Sequence, residues 1–228
     1  MYDAFTKDIT ASVLGAKGSG KSVMLAEALN RFKKGILIDT IGVFNPKNRF
    51  KSAVVPNSTY FTSPRWFLMY ARLHRKLPPK TVINLSEFVG EDLIREADKV
   101  FGYIYGHIRN TPILIDECAD LVPPIGKQSK KLILLVKNGR NYGLKPLIFA
   151  TQRPQSMAKS VFDLADTFYV SRQNAPRTVE YILDILDKRG EAGLNSMIRQ
   201  LEPRQFIRYD GSEMTGLTVP RYKYAFKQ

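Results

Sequence analysis

The sequence predicts a three-layer α/β fold in which helices cover both faces of a mainly parallel sheet. Short apolar runs bounded by turn residues recur along the chain of 228 residues. Segments compatible with helix separate these runs, and strands that alternate with helices are typical of βαβ units in a parallel sheet. The length suits one large domain with a buried core, so we expect residues 1–228 to form a single domain.

Each expected element comes from a local pattern. Central strands are expected at residues 9–14, 35–39, 81–85, 113–116, 147–151 and 168–171. Helices are expected at residues 23–32, 66–75, 91–107, 130–142 and 179–188, and edge elements at residues 205–209 and 217–219. The segment 130–142 is ambiguous, because its run of aliphatic residues at 132–136 also suits a buried strand. Its length, and a glycine at Gly143 that can cap a helix C-terminus, favour helix.

The first apolar run leads into the motif G-x-x-x-x-G-K-[ST], which predicts a phosphate-binding loop between a strand and a helix. Its residues are Gly15, Ala16, Lys17, Gly18, Ser19, Gly20, Lys21 and Ser22. The glycines let the backbone curl so that its N–H groups converge on phosphate oxygens at the positive end of the following helix. We expect Lys21 to reach the β- and γ-phosphates and the Ser22 hydroxyl to ligate Mg²⁺. The alternative, a chance Gly/Ser turn, does not explain the strand and helix on either side.

Two acidic residues, Asp116 and Glu117, end the apolar run at 113–116. Because the carboxyl ends of parallel strands share the edge where the phosphate loop lies, we expect both carboxylates beside the γ-phosphate. Asp116 is expected to hold Mg²⁺ through water, and Glu117 to accept a proton from the attacking water. The alternative is a helix N-cap followed by a first-turn acid, which the pair Asp-Glu also suits.

Gln152 follows the run at 147–151, within the sequence A-T-Q-R-P. At a strand end beside Asp116, its amide is expected to orient the attacking water and to sense the γ-phosphate. The alternative is a polar residue that merely ends a strand. No N-K-x-D guanine-reading element stands in a suitable place, and the protein-kinase loops are missing from the sequence. ATP is therefore expected by exclusion.

The charge balance indicates a polyanionic partner. Lys and Arg total 35 against 21 Asp and Glu, which gives a formal net charge of +14 and a pI near 9.8. Such an excess favours nucleic acid first and an anionic membrane second. Charges near the N-terminus argue against a signal peptide, and no run is long enough to span a bilayer. We expect a soluble protein without direct membrane insertion, and the single cysteine, Cys118, fits a reducing cytoplasm.

Four motifs together resemble the FtsK–HerA superfamily of DNA-pumping ATPases. They are the phosphate loop, the acidic strand end, the element Gly139-Arg140-x-x-Gly143 and the sequence T-Q-R-P at 151–154. The last two distinguish this superfamily from generic phosphate-loop ATPases. The resemblance implies the P-loop NTPase fold of the RecA and FtsK–HerA type. Since the chain leaves no room for the extra domains of cellular members, it is most similar to genome-packaging ATPases of tailless icosahedral double-stranded DNA viruses with an internal membrane.

The resemblance also implies cofactors and an assembly. It implies ATP with Mg²⁺, bound at each subunit junction of a ring that is most often a hexamer. Arg140 is the first candidate for an arginine finger that neutralises charge on the neighbour's transferred phosphoryl group, and Arg153 and Arg172 are weaker candidates. An ordinary cation at a helix C-terminus is the alternative for Arg140.

The expected partner is double-stranded DNA, with capsid or membrane-vertex proteins as candidate docking partners. Two lysine-rich segments, residues 126–131 and 47–51, are expected to contact DNA phosphates without reading sequence. The usual fate of a charge run, a solvated surface, is the alternative for both. The expected function is ATP-driven DNA translocation, in particular viral genome packaging, in the host cytoplasm or at the virion. The alternatives are a cellular HerA-like or conjugation-type pump, a filamentous-phage assembly (Zot-like) ATPase, and a non-motor nucleotide-binding scaffold.

Overall fold

The computed structural model describes residues 9–47, 55–188, 191 and 193–219. The strands within them are β1 (Thr10–Leu14), β2 (Gly35–Asp39), β3 (Thr59–Phe61), β4 (Lys80–Asn84), β5 (Ile113–Asp116), β6 (Leu147–Thr151), β7 (Thr167–Ser171), β8 (Gln205–Tyr209) and β9 (Met214–Thr218). The α-helices are α1 (Lys21–Arg31), α2 (Pro64–His74), α3 (Gly90–His107), α4 (Lys130–Asn138), α5 (Lys159–Phe162), α6 (Pro176–Ile185) and α7 (Leu194–Gln200). Single 3₁₀ turns occupy Cys118–Leu121, Gly139–Tyr142 and Pro154–Ser156.

The strands form one sheet in the order β3-β4-β2-β5-β6-β1-β7-β8-β9. All neighbours from β3 to β7 in this order are parallel, and β8 and β9 complete the sheet as an antiparallel hairpin. β6 lies between β1 and β5, with Leu14 opposite Thr151 and Ile115 opposite Phe149. The carboxyl ends of these three strands therefore meet at one edge of the sheet.

Helices cover both faces of the sheet, so the central strands are buried on both sides and consist mainly of apolar residues. On one face, Met24 and Leu25 of α1 share an apolar cluster with Val13 and Ile148. On the other face, α3, α4 and α6 cover a larger cluster that includes Phe149. The predicted three-layer α/β fold with a mainly parallel sheet is confirmed.

The predicted central strands are each confirmed to within one residue at either end. The ambiguous segment 130–142 is helical, because α4 continues into the 3₁₀ turn Gly139–Tyr142. Gly143 ends it in the left-handed region at φ 65°, where its N–H donates to Arg140 O at 3.0 Å. The elements without a sequence prediction are β3, α5 and α7, which have only 3, 4 and 7 residues, too few for a clear periodic pattern. Within the described ranges, no helix combines the length and the apolar character that a bilayer crossing requires.

Candidate nucleotide-binding site

The loop at residues 15–22 connects the carboxyl end of β1 to the first turn of α1. Gly20 stands at the N-cap of α1 with φ 103°, a left-handed conformation that favours glycine. A Cβ at Gly20 would lie 2.7 Å from Arg204 Cγ, and a Cβ at Gly15 would lie 2.5 Å from Ser19 Oγ. The glycines of the motif therefore serve both the curl of the loop and its close contact with neighbouring side chains.

Lys21 is folded back into the loop. Its Nζ donates to Gly15 O at 2.8 Å and to Ala16 O at 3.0 Å, and the residue is only 7% exposed. Burial lowers the pKa of the ammonium group, while the charges of Asp116 and Glu117 act in the opposite direction. The ammonium group of Lys21 thus contacts the backbone after β1, and the carboxylates of Asp116 and Glu117 are near enough to act on its charge.

Ser22 and Asp116 form a hydrogen-bonded pair beside this lysine. Ser22 Oγ donates to Asp116 Oδ2 at 2.8 Å, and the N–H of Glu117 donates to Asp116 Oδ1 at 3.1 Å. Asp116 is almost fully buried, and this burial raises the pKa of its carboxyl to about 6, against the opposing effect of the Ser22 hydrogen bond. A hydroxyl and a carboxylate in contact are the hard oxygen ligands that Mg²⁺ takes alongside phosphate oxygens and water. The residues present therefore fit this ion.

Glu117 is fixed against the end of β6. Its Oε1 accepts a hydrogen bond from Thr151 Oγ1 at 2.8 Å, and its Oε2 accepts one from the Gln152 N–H at 3.0 Å. The residue is 2% exposed and has φ 46°, a left-handed conformation that costs a non-glycine residue free energy. The 3₁₀ turn that follows receives no hydrogen bond from the Glu117 side chain at its N-cap. The geometry of the pair thus differs from the helix-capping alternative.

Gln152 is the first residue after β6. β6 lies between β1, which leads into the phosphate loop, and β5, which ends in the acidic pair. Its backbone N–H reaches Glu117, and its side chain is half-buried. The structure therefore brings Lys21, Ser22, Asp116 and Glu117 together with Gln152 at one edge of the sheet. The sequence predicts that these positions meet, and the roles of the five residues stay predictions.

Arg140 does not join this group. Its Nη2 lies 3.5 Å from Asp166 Oδ2, and the same oxygen accepts a 2.7 Å hydrogen bond from the N–H of Thr10 at the start of β1. The phosphate loop follows the other end of β1, about 13 Å away for a strand of this length. Arg140 is more than half exposed. It thus lies on the opposite edge of the sheet from the phosphate loop of its own chain.

The two weaker arginine candidates lie closer to the loop. Arg153 forms an exposed ion pair with Asp120 at 2.8 Å. Arg172 follows β7, and its carbonyl oxygen accepts a 2.8 Å hydrogen bond from the N–H of Ala16. The buried Nε of Arg172 has no hydrogen-bond partner among the described residues.

The lysine-rich segment at 126–131 comprises the end of the loop between the 3₁₀ turn Cys118–Leu121 and α4, together with the first two residues of α4. Lys130 and Lys131 are exposed, and Lys127 Nζ lies 3.1 Å from Glu91 Oε2 in an exposed pair. The other predicted segment, 47–51, lies outside the described residues except for Lys47, which is exposed.

Two residues of the site, Arg204 and Thr40, have no recognisable signal in the sequence, and Thr151, within the T-Q-R-P motif, has a contact that the motif does not predict. Arg204 has φ 72° and donates its N–H to Ser19 O at 2.7 Å, so the chain before β8 packs directly on the phosphate loop. Thr40 Oγ1 donates to Asp116 O at 2.6 Å, and Thr151 orients the Glu117 carboxylate. Each role depends on contacts between distant parts of the chain, so no local sequence pattern predicts it.

Comparison with known proteins relates the chain to others through structure. No model of a protein family matches the sequence, and no curated protein is similar to it. The genome packaging NTPase B204 of Sulfolobus turreted icosahedral virus 2, in complex with AMPPCP, has a TM-score of 0.64 at 18% identity, over 93% of this chain and 97% of that chain. VirB4 of Thermoanaerobacter pseudethanolicus has a TM-score of 0.66 at 11% identity, over 94% and 90%.

The N-terminal domain of zonular occludens toxin from Neisseria meningitidis has a TM-score of 0.51 at 13% identity, over 96% of each chain. The chain shares the P-loop NTPase fold. At these identities the likeness shows the fold alone, and the predicted P-loop NTPase fold is confirmed.

Proposed function

We propose that the protein is an ATPase that translocates double-stranded DNA, of the kind that packages viral genomes. The observation that carries the proposal is the convergence of a buried lysine, a hydroxyl–carboxylate pair, an anchored glutamate and a glutamine around one phosphate loop. These are the parts that phosphoryl transfer to water requires: contacts to the phosphates, metal ligands, a proton acceptor and a group that orients water.

Each residue has a distinct proposed role. Lys21 leaves the carbonyl oxygens of the loop and contacts the β- and γ-phosphates, while the backbone N–H groups of residues 15–22 surround the phosphate oxygens. Ser22 and Asp116 would hold Mg²⁺, which neutralises charge on the phosphate oxygens when it is bound. Glu117, oriented by the end of β6, accepts the proton of the attacking water. Gln152 orients that water and senses the γ-phosphate.

Three observations support DNA as the molecule that the protein translocates. The chain has a net charge of +14, and a protein that neutralises many phosphates gains affinity for DNA through counterion release. The exposed Lys130 and Lys131 open α4, the next helix along the chain after Glu117, with one 3₁₀ turn and one loop between them. A protein with the same fold is a genome packaging NTPase.

We expect ATP hydrolysis to be stimulated by duplex DNA, and the affinity for DNA to fall steeply with salt. The logarithm of the affinity should fall with the logarithm of salt concentration, with a slope of about −0.9 per phosphate neutralised. Fluorescence anisotropy with a labelled duplex measures the slope, and phosphate release measures the stimulation. The variant Lys130→Ala/Lys131→Ala should reduce the slope, whereas Lys33→Ala, an exposed lysine beyond α1, should not. If the affinity for DNA does not depend on salt, the proposed contacts to the DNA phosphates are wrong.

The position of Arg140 is compatible with action on a neighbouring subunit and not on its own. We propose that the ring brings Arg140 of one subunit to the phosphate loop of the next. Arg140→Ala should then abolish hydrolysis and leave ATP affinity within about threefold, because a finger acts in the transition state. In rings mixed with the parent protein, activity should fall more steeply than the fraction of variant subunits. A proportional fall contradicts action in trans and favours the role of a surface cation paired with Asp166.

A second candidate is a conjugation-type or filamentous-phage assembly ATPase. The structural likeness to VirB4, at a TM-score of 0.66, and to the zonular occludens toxin domain, at 0.51, favours it. Duplex and single-stranded DNA of equal length separate the candidates in the hydrolysis assay. Stimulation by single strands alone supports the phage-assembly function.

A further inference from the structure

The outer side of α2 is more apolar than its position in the fold requires. The helix packs on β3 and β4 at one edge of the sheet, and its inner side buries Pro64, Phe67 and Ala71. Met69 and Leu73 lie on the other side of the helix and are 50% and 74% exposed. The outer side of a surface helix is normally polar. These residues therefore form an apolar face that no other element of the described chain covers.

The inner side of α2 is fixed in place by specific contacts. The ring of Phe67 packs edge-on against Phe61 of β3, with centroids 5.6 Å apart, and against Tyr103 of α3 at 5.8 Å. The hydroxyl of Tyr103 also donates to Ala71 O at 3.0 Å. The helix cannot turn its apolar outer side inward without the loss of these contacts, so the exposed face is a permanent part of the folded surface.

A groove of about 880 Å³ lies between this face and the first half of α3. Its apolar lining comes from Leu68, Met69 and Leu73 of α2 and from Phe88, just before α3. Apolar grooves between helices bind amphipathic helices, whose apolar residues recur at i, i+3 or i+4, and i+7. The 11 residues of α2 extend for about 16 Å, so about three turns of a partner helix can lie along it.

The border of the groove is positively charged. Arg65 and Arg72 line it from α2, seven residues or about 10.5 Å apart along the helix, and Lys99 lines it from α3. Glu96 is the one carboxylate among the described lining residues, and it already pairs with Lys99 at 2.5 Å. Arg65 and Arg72 are exposed and form no ion pair within the described part of the chain. The groove therefore offers two arginines to the carboxylates of an occupant.

The apolar lining and the charged border together select one kind of occupant. We propose that the groove binds an acidic amphipathic helix of a partner protein, whose apolar residues contact Met69 and Leu73 and whose carboxylates contact Arg65 and Arg72. DNA matches the arginines but has no apolar side chains to cover the groove. A second copy of the chain has a net charge of +14 and offers no excess of carboxylates. A flat bilayer surface does not fill a groove between two helices.

The groove is remote from the nucleotide site. The edge strand β3 is five strand positions from β1, about 24 Å across the sheet. The described lining includes no residue of the phosphate loop or of the ends of β5 and β6. A partner can therefore stay bound while ATP is hydrolysed, and the groove serves to attach the protein to another component. This inference goes beyond the proposed function and does not depend on it.

The test uses designed peptides in place of the partner. One labelled peptide consists of glutamate and leucine, with leucine at i, i+3, i+4 and i+7, so that one side of its helix is apolar. A second peptide has glutamine at each leucine position and thus the same charge without the apolar side. Fluorescence anisotropy should show that the protein binds the leucine peptide roughly tenfold more tightly than the glutamine peptide, because apolar burial supplies much of the affinity.

Two variants in the groove are matched by two controls elsewhere. Leu73→Gln should weaken binding of the leucine peptide about tenfold, and Arg72→Glu about fivefold, because repulsion replaces an exposed ion pair. Ile125→Gln removes an exposed apolar side chain from another surface, and Lys33→Glu makes the same change of charge beyond α1. Both controls should bind the peptide as the parent does. ATP hydrolysis should be unchanged in both groove variants, because the nucleotide site is distant.

Three outcomes overturn the inference. Equal affinity for the two peptides, or equal losses in groove variants and controls, leaves only the general attraction of acidic peptides to a basic chain. Binding to phosphatidylserine vesicles that Leu73→Gln abolishes, without peptide binding, assigns the face to an anionic membrane. A concentration-dependent dimer that Leu73→Gln dissociates in analytical ultracentrifugation assigns it to a second copy. Thermal unfolding verifies that each variant folds. A parent protein that binds the leucine peptide but hydrolyses no ATP overturns the proposed function alone.

Discussion

Replacement of Lys21 by alanine is expected to reduce ATP turnover more than a hundredfold. The ammonium group contacts two phosphates in the proposed complex, and hydrogen bonds to charged groups contribute roughly 1.5–3 kcal/mol each. The same group donates to Gly15 O and Ala16 O in the structure, so the variant also removes one buried and one partly buried hydrogen bond. Steady-state phosphate release measures the loss, and thermal unfolding reports any change in stability.

Two further variants separate charge from packing. Lys21→Met fills a similar volume without the charge, so it should be as inactive as Lys21→Ala while the fold is retained. Lys33→Ala removes the same charge from an exposed position beyond α1 and should have the activity of the parent. Full turnover by Lys21→Met would remove the phosphate-loop assignment, because the motif has no function without its cation.

Glu117→Gln is expected to reduce hydrolysis by about 10²–10⁴-fold and to retain nucleotide binding, the loss typical of a missing general base. A glutamine side chain can still accept the hydrogen bond from the Gln152 N–H and remain beside Thr151, so the geometry at the end of β6 is retained. The ability to take a proton and the negative charge are lost. Single-turnover hydrolysis together with equilibrium binding of ATP distinguishes the two effects.

A matched substitution controls for the change in charge. Glu180→Gln removes a carboxylate from an exposed position on α6 and should leave turnover unchanged. If Glu117→Gln is as active as the parent, Glu117 is not the base, and the non-motor scaffold becomes the better interpretation of the chain.

The parts of the site that the sequence predicts are those with a local pattern. The glycines and Lys21 of the phosphate loop stand within eight residues, between a strand and a helix whose periodicity is clear. Asp116 and Glu117 end an apolar run, and a parallel sheet brings such strand ends to one edge. The neighbourhood of Gln152 and Glu117 was predictable once the motifs indicated which strands lie side by side.

The parts that escape sequence reasoning depend on how distant segments meet. Arg140 belongs to a recognisable element, yet its distance from the loop depends on the path of the chain to the amino end of β1. Arg204 is an ordinary residue after a proline, and only the return of β8 to the sheet places it against Ser19. The short helix α7 has only 7 residues, too few for a periodic signal, so its position was not predictable either.

Hydrogen bonds hold together the two ends of the loop at residues 122–129, which follows the acidic pair and its 3₁₀ turn. The N–H of Ser129 donates to Leu121 O at 2.8 Å, and the Gln128 side chain donates to the carbonyl oxygen of Pro123. Ile125 projects from its tip and is 89% exposed. A loop fixed in this way would move as one rigid unit if the γ-phosphate end of the site rearranged, so its apolar tip, two residues before Lys127, would shift with it.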